Sequence, residues 1–427
     1  MFRGPRHSAV ILLLLMILLF SPNVSGLDDG RIGVIYIGCL ARSAPFWWMR
    51  SDILFQMNYV QATLRDWAGW GPIMQADEEG VVYRLVRLYM PRNYDDLTSR
   101  FDVVILANAN TLALEARNIE MLARGSEEGG LGLVMFGGWE SFGAAFGRPP
   151  WDGTAVGDIL PTEGVPNTYI MTPKYQLYMR IDEPEHEFMR SLPWDRKQPF
   201  MTNFHHNLVK LKPGATRLAR IESPEFKDHP AMVTWELEGS DARVFSVAGE
   251  IIGPSSEPGQ LHTMCTRGNP WEYAIDFGAN LMIYLNHRPV PQDVYLVHQL
   301  RQSMFDVGTR KVMLFGVLEF CDSFGANTAG MMERLDEVDS LIRSALPVYL
   351  DLRFEETLEI YEDVHDELNE IERDAVDLKN RALMWVYIIE WLAVTGTAMI
   401  SGIFIWSIMI RRRLYRQVRT TRMRIEA

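Results

Sequence analysis

Residues 129–144 read GGLGLVMFGGWESFGA, and the fold turns on them. A glycine pair leads into the apolar run 131–136, and a second pair, Gly137 and Gly138, follows it. Trp139, Glu140 and Ser141 come next. The order strand, tight turn, helix start is the one on which many α/β enzymes mount a nucleophile. Here the turn carries a tryptophan, so the stretch is either an active site or the shell of one.

The flanking sequence supplies the rest of a sheet. Residues 31–38 (RIGVIYIG) and 101–108 (FDVVILAN) are apolar and rich in β-branched residues, as buried strands are. An unbroken apolar centre suits a parallel strand covered on both faces. Residues 51–67 place Ile53, Leu54, Met57, Val60 and Leu64 at helical spacing, which predicts a helix. Residues 81–88 predict a strand, and residues 111–124 a helix with Leu112, Ile119 and Leu122 on one face. The alternation gives an α/β fold: a doubly wound, mostly parallel, flavodoxin-like sheet with right-handed crossovers. Eight prolines interrupt residues 148–200 and predict a loop-rich excursion over the carboxyl edge of the sheet. Strands resume at 207–212, 216–221, 231–236 and 243–248, and a helix at 271–286 closes the domain.

The chain has 427 residues, of which 48% are hydrophobic and 23% charged. That suffices for a packed core and excludes wholesale disorder. The net charge of −13 is uneven. The first 26 residues carry +2, and the tail from Arg411 sets seven arginines against Glu426 for +6, which leaves −21 on residues 27–410. A body this acidic repels phosphate backbones, so nucleic acid is not an expected partner. Three cysteines, Cys39, Cys265 and Cys321, have no paired metal-ligand spacing. No metal and no cofactor is expected. Export would permit one disulfide, and the sequence does not choose its pair.

Both ends read as membrane signals. Arg3 and Arg6 precede the apolar run 9–20 and the small residues Val24 and Gly26. This is the pattern of a signal peptide, residues 1–26, with an uncleaved anchor as the other reading. Residues 391–410, WLAVTGTAMISGIFIWSIMI, hold no charge. Twenty helical residues span about 30 Å, the thickness of the bilayer core. Trp385, Tyr387 and Trp391 would lie at one interface, so the membrane segment is drawn at 384–410. Arginines accumulate on the cytoplasmic side, which puts the tail 411–427 inside and the body outside. The expected product is a single-pass membrane protein with its N-terminal domain extracytoplasmic.

Between body and span, residues 290–383 are helical and acidic. Two amphipathic helices are expected at 292–305 and 331–345. In residues 351–379, Phe354, Leu358, Tyr361, Val364, Leu368, Ile371, Ala375 and Leu378 recur by threes and fours, an apolar seam at coiled-coil spacing. The seam packs either on the chain's own helices or on a second subunit, so a homo-oligomer or a membrane-complex partner enters here.

Several segments together resemble a family: the exported α/β pattern, the stretch 129–147, WDGTAVGDILPTE (151–163), HPAMVTWEL (229–237), RVFSVAGE (243–250) and WEYAIDFGANLMIYL (271–285). The resemblance is to the glutamine amidotransferase-like domain family, relatives of class I glutamine amidotransferases, and covers residues 33–287. It implies an elbow cysteine assisted by histidine and glutamate. The elbow position falls on Trp139, or with a slip of one on Gly138 or Glu140, and none is a cysteine. His229 is followed by Pro230 and Ala231, without the family's glutamate, and His365-Asp366-Glu367 lies in the acidic helix. The resemblance therefore implies a pseudoenzyme of domain 27–289.

Ser141 stands one place off the hydrolase spacing G-x-S-x-G, while a helix-start serine also serves as an N-cap. Asp152 and Glu140 would flank a pocket. His205 and His206 read as surface or core histidines more readily than as a base. Trp47 and Trp48 follow the first strand on the edge where such folds hold ligands. Gly137, Gly138, Trp139, Glu140, Trp47 and Trp48 are thus the expected binding residues for an unidentified small ligand or protein. A hydrolase acting through Ser141 or another nucleophile, and a structural subunit of an envelope complex, are the alternatives.

Overall fold

The computed structural model describes residues 30–39, 49, 52–63, 79–170, 178–194, 200–201, 206–222, 224–225, 227–250 and 273–423. The expected signal peptide, Trp47, Trp48, His205, Cys265 and the last four residues lie outside the described residues. The chain divides into two compact units. The first takes the chain up to Arg301 together with Leu346–Phe354; the second takes Gln302–Ala345 and everything from Glu355.

The first unit is mixed α/β around a largely parallel central sheet. Its elements run β1 (Ile32–Gly38), β2 (Phe55–Gln61), α1 (Glu79–Tyr89), α2 (Tyr94–Thr98), β3 (Val103–Ala107), α3 (Thr111–Gly129) and β4 (Gly132–Gly137). Then follow α4 (Ala155–Ile159), β5 (Thr162–Ile170), β6 (Tyr178–Ile181), α5 (Glu187–Arg190), β7 (Phe200–Met201) and β8 (His206–Leu211). Strands β9 (Thr216–Glu222), β10 (His229–Glu236) and β11 (Arg243–Glu250) and helix α6 (Ala274–Leu285) complete it. The main sheet has the order β2-β1-β3-β4-β11-β10-β9-β6-β7. The first five strands are mutually parallel, and β10, β9, β6 and β7 extend the sheet antiparallel. Strands β1, β3 and β4 are buried along their whole length, while the edge strand β2 is half-buried at its centre. Ile35, Ile37, Val104, Leu106, Leu133 and Met135 join α3 and α4 in one core, while Val34, Tyr36, Ile105 and Phe136 are buried on the other face.

Three expectations need correction. Residues 55–61 form strand β2, parallel to β1, where the spacing predicted a helix. Residues 79–89 form helix α1 where β-branched residues predicted a strand. Val82 and Val86, with Met90 just past its end, are buried and spaced by four, the helical period. Residues 148–200 hold β5, β6, α4 and α5 as well as loops. Strand β5 slips register against β8 between Gly164 and Tyr169, where Pro166 has no N–H to donate.

The second unit is helical. Helix α7 (Val294–Ser323) enters it at Gln302, α8 (Ala329–Leu350) leaves it at Ala345, and α9 (Phe354–Met423) runs through it. Val307, Leu314, Leu318 and Cys321 of α7 are buried with Leu335 and Val338 of α8. From α9 come Thr357, Tyr361, Val364, Leu368, Ile371, Ala375 and Ala382. Thr357 takes the place the seam gave to Leu358, keeping the alternation of threes and fours. The seam is thus buried within one chain. Arg310 donates to Glu372 and Asn369 of α9, and Arg334 of α8 donates to Glu367, Glu370 and Asp374. Among the described residues, α9 is the one helix long and apolar enough to cross a membrane, with a mean hydropathy of 1.8 over its most apolar stretch.

Candidate functional site

In a parallel sheet all strands end on one side, and loops leaving that side place side chains together. Here the ends of β3 and β4 meet. Strand β3 runs into Asn108, Ala109 and Asn110; strand β4 runs into Gly138, Trp139, Glu140 and Ser141.

No helix starts after β4. Residues 138–150 form successive turns, with Phe142, Ala144 and Phe146 at φ of 52°, 52° and 55°. Left-handed residues at every second position cannot propagate an α-helix. The expected helix start, with its row of free amide groups, is therefore not present at this turn. The glycine pair has a packing reason instead. A Cβ on Gly137 would stand 2.2 Å from the Ala248 carbonyl oxygen, and one on Gly138 within 2.8 Å of the Asn108 side chain.

The polar groups of the turn are wired to one another. Glu140 is 1% exposed, and its Oε1 accepts from Asn110 Nδ2 and from Arg148 Nε, both at 2.8 Å. Asn110 also caps α3, its Oδ1 accepting from Leu112 N at 2.9 Å. The Glu140 amide donates to Asn108 Oδ1 at 2.8 Å. The Trp151 indole donates to the Glu140 and Ala109 carbonyls at 2.9 and 3.1 Å. Asn207 of β8 accepts from Gly138 N at 2.8 Å and donates to the Ser141 carbonyl at 3.3 Å. Thr63, two residues after β2, donates to the Asn108 carbonyl at 2.6 Å. Asn108 Nδ2, buried, meets no acceptor among the described residues.

The sequence candidates divide as follows. Trp139 is buried and stands edge-on to Tyr169, ring centroids 6.1 Å apart. Ser141 is buried, and its Oγ accepts the Asn108 amide at 3.1 Å. It has no hydrogen bond to a histidine among the described residues. Asp152 Oδ1 accepts from Gly164 N at 3.0 Å and holds the loop to β5. His229 begins β10, and burial pushes its imidazole pKa down. In the second unit His365 Nδ1 faces the Arg310 guanidinium at 2.9 Å. Since a guanidinium only donates, that nitrogen is the acceptor, and Nε2–H donates to Ser303 Oγ at 2.7 Å. The His365-Asp366-Glu367 run is therefore helix glue, with Glu367 engaged by Arg334. Cys39 and Cys321 are buried, and no group of three or more metal-ligating side chains occurs among the described residues.

No protein-family model matches the chain, and no curated protein does. Among solved structures, a cytoplasmic protein of Salmonella typhimurium LT2 aligns at 15% identity and a TM-score of 0.43, covering 60% of this chain and 99% of its own. A second cytoplasmic protein of Salmonella typhimurium aligns at 13% identity and a TM-score of 0.44, covering 59% and 98%.

Sequence reading missed Asn108, Asn110, Arg148, Trp151 and Asn207. The signal for the first two was present: ANAN, residues 107–110, closes an apolar strand. Asparagine tolerates the left-handed φ of 55° that Asn108 adopts. Arg148 and Asn207 reach the turn through tertiary folding and had no local signature.

Proposed function

We propose that this protein is a membrane-anchored, extracytoplasmic, non-catalytic module of the glutamine amidotransferase-like type, binding a ligand or protein at the carboxyl edge of its sheet. The parallel strands in order β2-β1-β3-β4-β11 support the flavodoxin-like reading, in which that edge is the ligand side. The observation that carries the proposal is Glu140. Next to Trp139, the position where an amidotransferase elbow would expose a thiolate, the chain buries the Glu140 carboxylate between Arg148 and Asn110. The groups around it are committed to one another, and Asn108 Nδ2 offers an N–H to a carbonyl or anionic acceptor. The anchor is the uncharged run in α9, followed by Arg411, Arg412 and Arg413, which orients the tail to the cytoplasm.

Two measurements test this. Protease added outside intact cells should degrade the chain up to Met384 and spare the tail; a protected body refutes the topology. The purified full chain should release no ammonia from glutamine above a blank. Turnover that disappears in Ser141→Ala, with stability retained, would overturn the non-catalytic assignment in favour of a hydrolase.

A further inference from the structure

The second unit carries an apolar tip at the turn between α7 and α8. Phe320 in the last turn of α7 and Phe324 just after it are 37% and 48% exposed, with ring centroids 4.8 Å apart. Met332 opens α8, 39% exposed. Asp322 is the single charge between Phe320 and Met332, and the turn itself is Gly325, Ala326, Asn327 and Thr328. Aromatic rings left a third to a half exposed at the end of a hairpin need a reason.

The register of α7 against α9 gives one. Ser303 bonds His365 and Arg310 bonds Glu372, both pairs 62 residues apart. The two helices therefore run in the same direction and in step. Lys379 acts electrostatically on Cys321, a spacing of 58. Extended along the helices, these spacings bring Phe324 level with the stretch of α9 between Ala382 and Val386. Ala382 is the last buried residue of α9; beyond it every described side chain is exposed or half-exposed. The same level opens the apolar run, with Met384, Trp385 and Tyr387 exposed. From Met384 to Ile410 a helix rises about 40 Å, the bilayer thickness with its headgroup layers. Bundle packing thus ends, the aromatic tip lies, and the membrane run starts, all within about one helical turn.

We infer that the α7–α8 tip docks into the headgroup layer of the bilayer that α9 crosses. Phe320, Phe324 and Met332 enter the interface, and Trp385 and Tyr387 stand at the same depth, as aromatic residues do at membrane boundaries. A second contact beside the span would hold the helical unit upright where a lone transmembrane helix would let it tilt. The inference rests on the membrane reading of α9.

The test uses the full chain in vesicles of phosphatidylcholine and phosphatidylglycerol, with Cys265→Ser as background and the buried Cys39 and Cys321 as the labelling blank. An environment-sensitive fluorophore is placed through Phe324→Cys, Met332→Cys, Val312→Cys or Phe404→Cys. Val312 is exposed on α7, about 18 Å back from Phe324. The labels at 324 and 332 should emit further to the blue on reconstitution and lose emission to lipids bearing a nitroxide near the headgroup. The label at 404 should respond to a deep nitroxide, and the label at 312 only to aqueous iodide. If 324 and 332 behave like 312 while 404 is quenched from the lipid, the tip contact is refuted and the span stands. If 404 is quenched from water, the membrane reading falls and the tip contact with it. Lipid quenching at 312 would mean that the unit lies flat, which also overturns the inference.

Discussion

Replacing Arg148 by Met isolates the buried carboxylate on which the site reading depends. In the folded protein Glu140 is 1% exposed and Arg148 15%, with 2.8 Å between Oε1 and Nε. Removing the cation takes the positive charge from Oε1 and leaves the neutral Asn110 amide donating to it. Breaking a buried ion pair from one side costs about 3–5 kcal/mol. The residual exposure of Arg148 lets water reach the vacated side, which places the expected loss near the lower end, about 3 kcal/mol. For a region of this size that is a fall in Tm of roughly 6–12 °C. Glu140→Gln should cost less, about 1–2 kcal/mol, because the amide keeps an acceptor for Asn110 and the partly exposed Arg148 can turn to solvent. In Arg148→Met/Glu140→Gln no buried charge is left unpaired, so the double variant should be more stable than the sum of the singles implies, by roughly 1–3 kcal/mol. The assay is thermal unfolding of the detergent-solubilised full chain, followed in the near-UV aromatic signal to which Trp139 and Trp151 beside the turn contribute. Additivity within about 0.5 kcal/mol would show that the two side chains are not coupled, and would refute a closed elbow built on their pairing.

Ser141→Ala should cost about 1–3 kcal/mol, because the buried Asn108 amide loses its acceptor; unchanged unfolding would free the hydroxyl for another role. Trp139→Ala should cost about 3–5 kcal/mol as a core truncation, and a loss under 1 kcal/mol would return that ring to the surface. Leu368→Asp buries an unpaired charge in the helical unit and should abolish its cooperative unfolding, read by circular dichroism; a wild-type melt would mean the seam is not packed as described. Burial raises the Asp52 pKa above its ordinary value, against the attraction of Arg301 and the Leu54 amide. The folded protein then holds that proton more tightly than the unfolded chain. Its contribution to stability should fall as pH rises from the ordinary carboxylate range through the raised value. Asp52→Asn should flatten that part of the stability–pH curve, and an identical slope in the variant would refute the assignment.

Much of the fold was legible because parallel strands announce themselves. The cores of β1, β3 and β4 are unbroken apolar runs, and such runs have few alternatives. Helix α3 and strands β8 to β11 followed from ordinary patterning. The misreadings fall at the edge of the sheet. In β2, Met57 and Val60 mimic helical spacing, yet pairing with β1 from Ile32↔Phe55 to Gly38↔Gln61 decides the conformation. In α1, Val81, Val82 and Val86 favour a strand by type, while Val82, Val86 and, just past the helix, Met90 are buried at the helical period. Short apolar segments carry both periods at once, and tertiary contact chooses between them. The heptad seam was legible to within one residue, and its partners became clear only once α7 and α8 were in place.

The turn after β4 shows why a motif read without its context goes only part of the way. Absence of a cysteine at residues 138–140 was visible in the sequence, and so was the glycine pair. What the pair is for was not. Gly137 and Gly138 resemble an elbow that leaves room for substrate, but the room is taken by the Ala248 carbonyl and the Asn108 side chain. Expecting a helix after Trp139 came from the enzyme pattern, and φ values near 52° at Phe142 and Ala144 exclude it. A thiolate needs an exposed position and a field that lowers its pKa. A turn without a helix supplies neither, and a buried carboxylate at Glu140 adds a charge of the wrong sign. Converting Trp139 to Cys would therefore not create a glutaminase here. The position would have to lose Glu140, gain a helix start and recover a histidine; the first change would break the bonds to Asn110 and Arg148, and the second those that join the turn to Asn108 and Asn207.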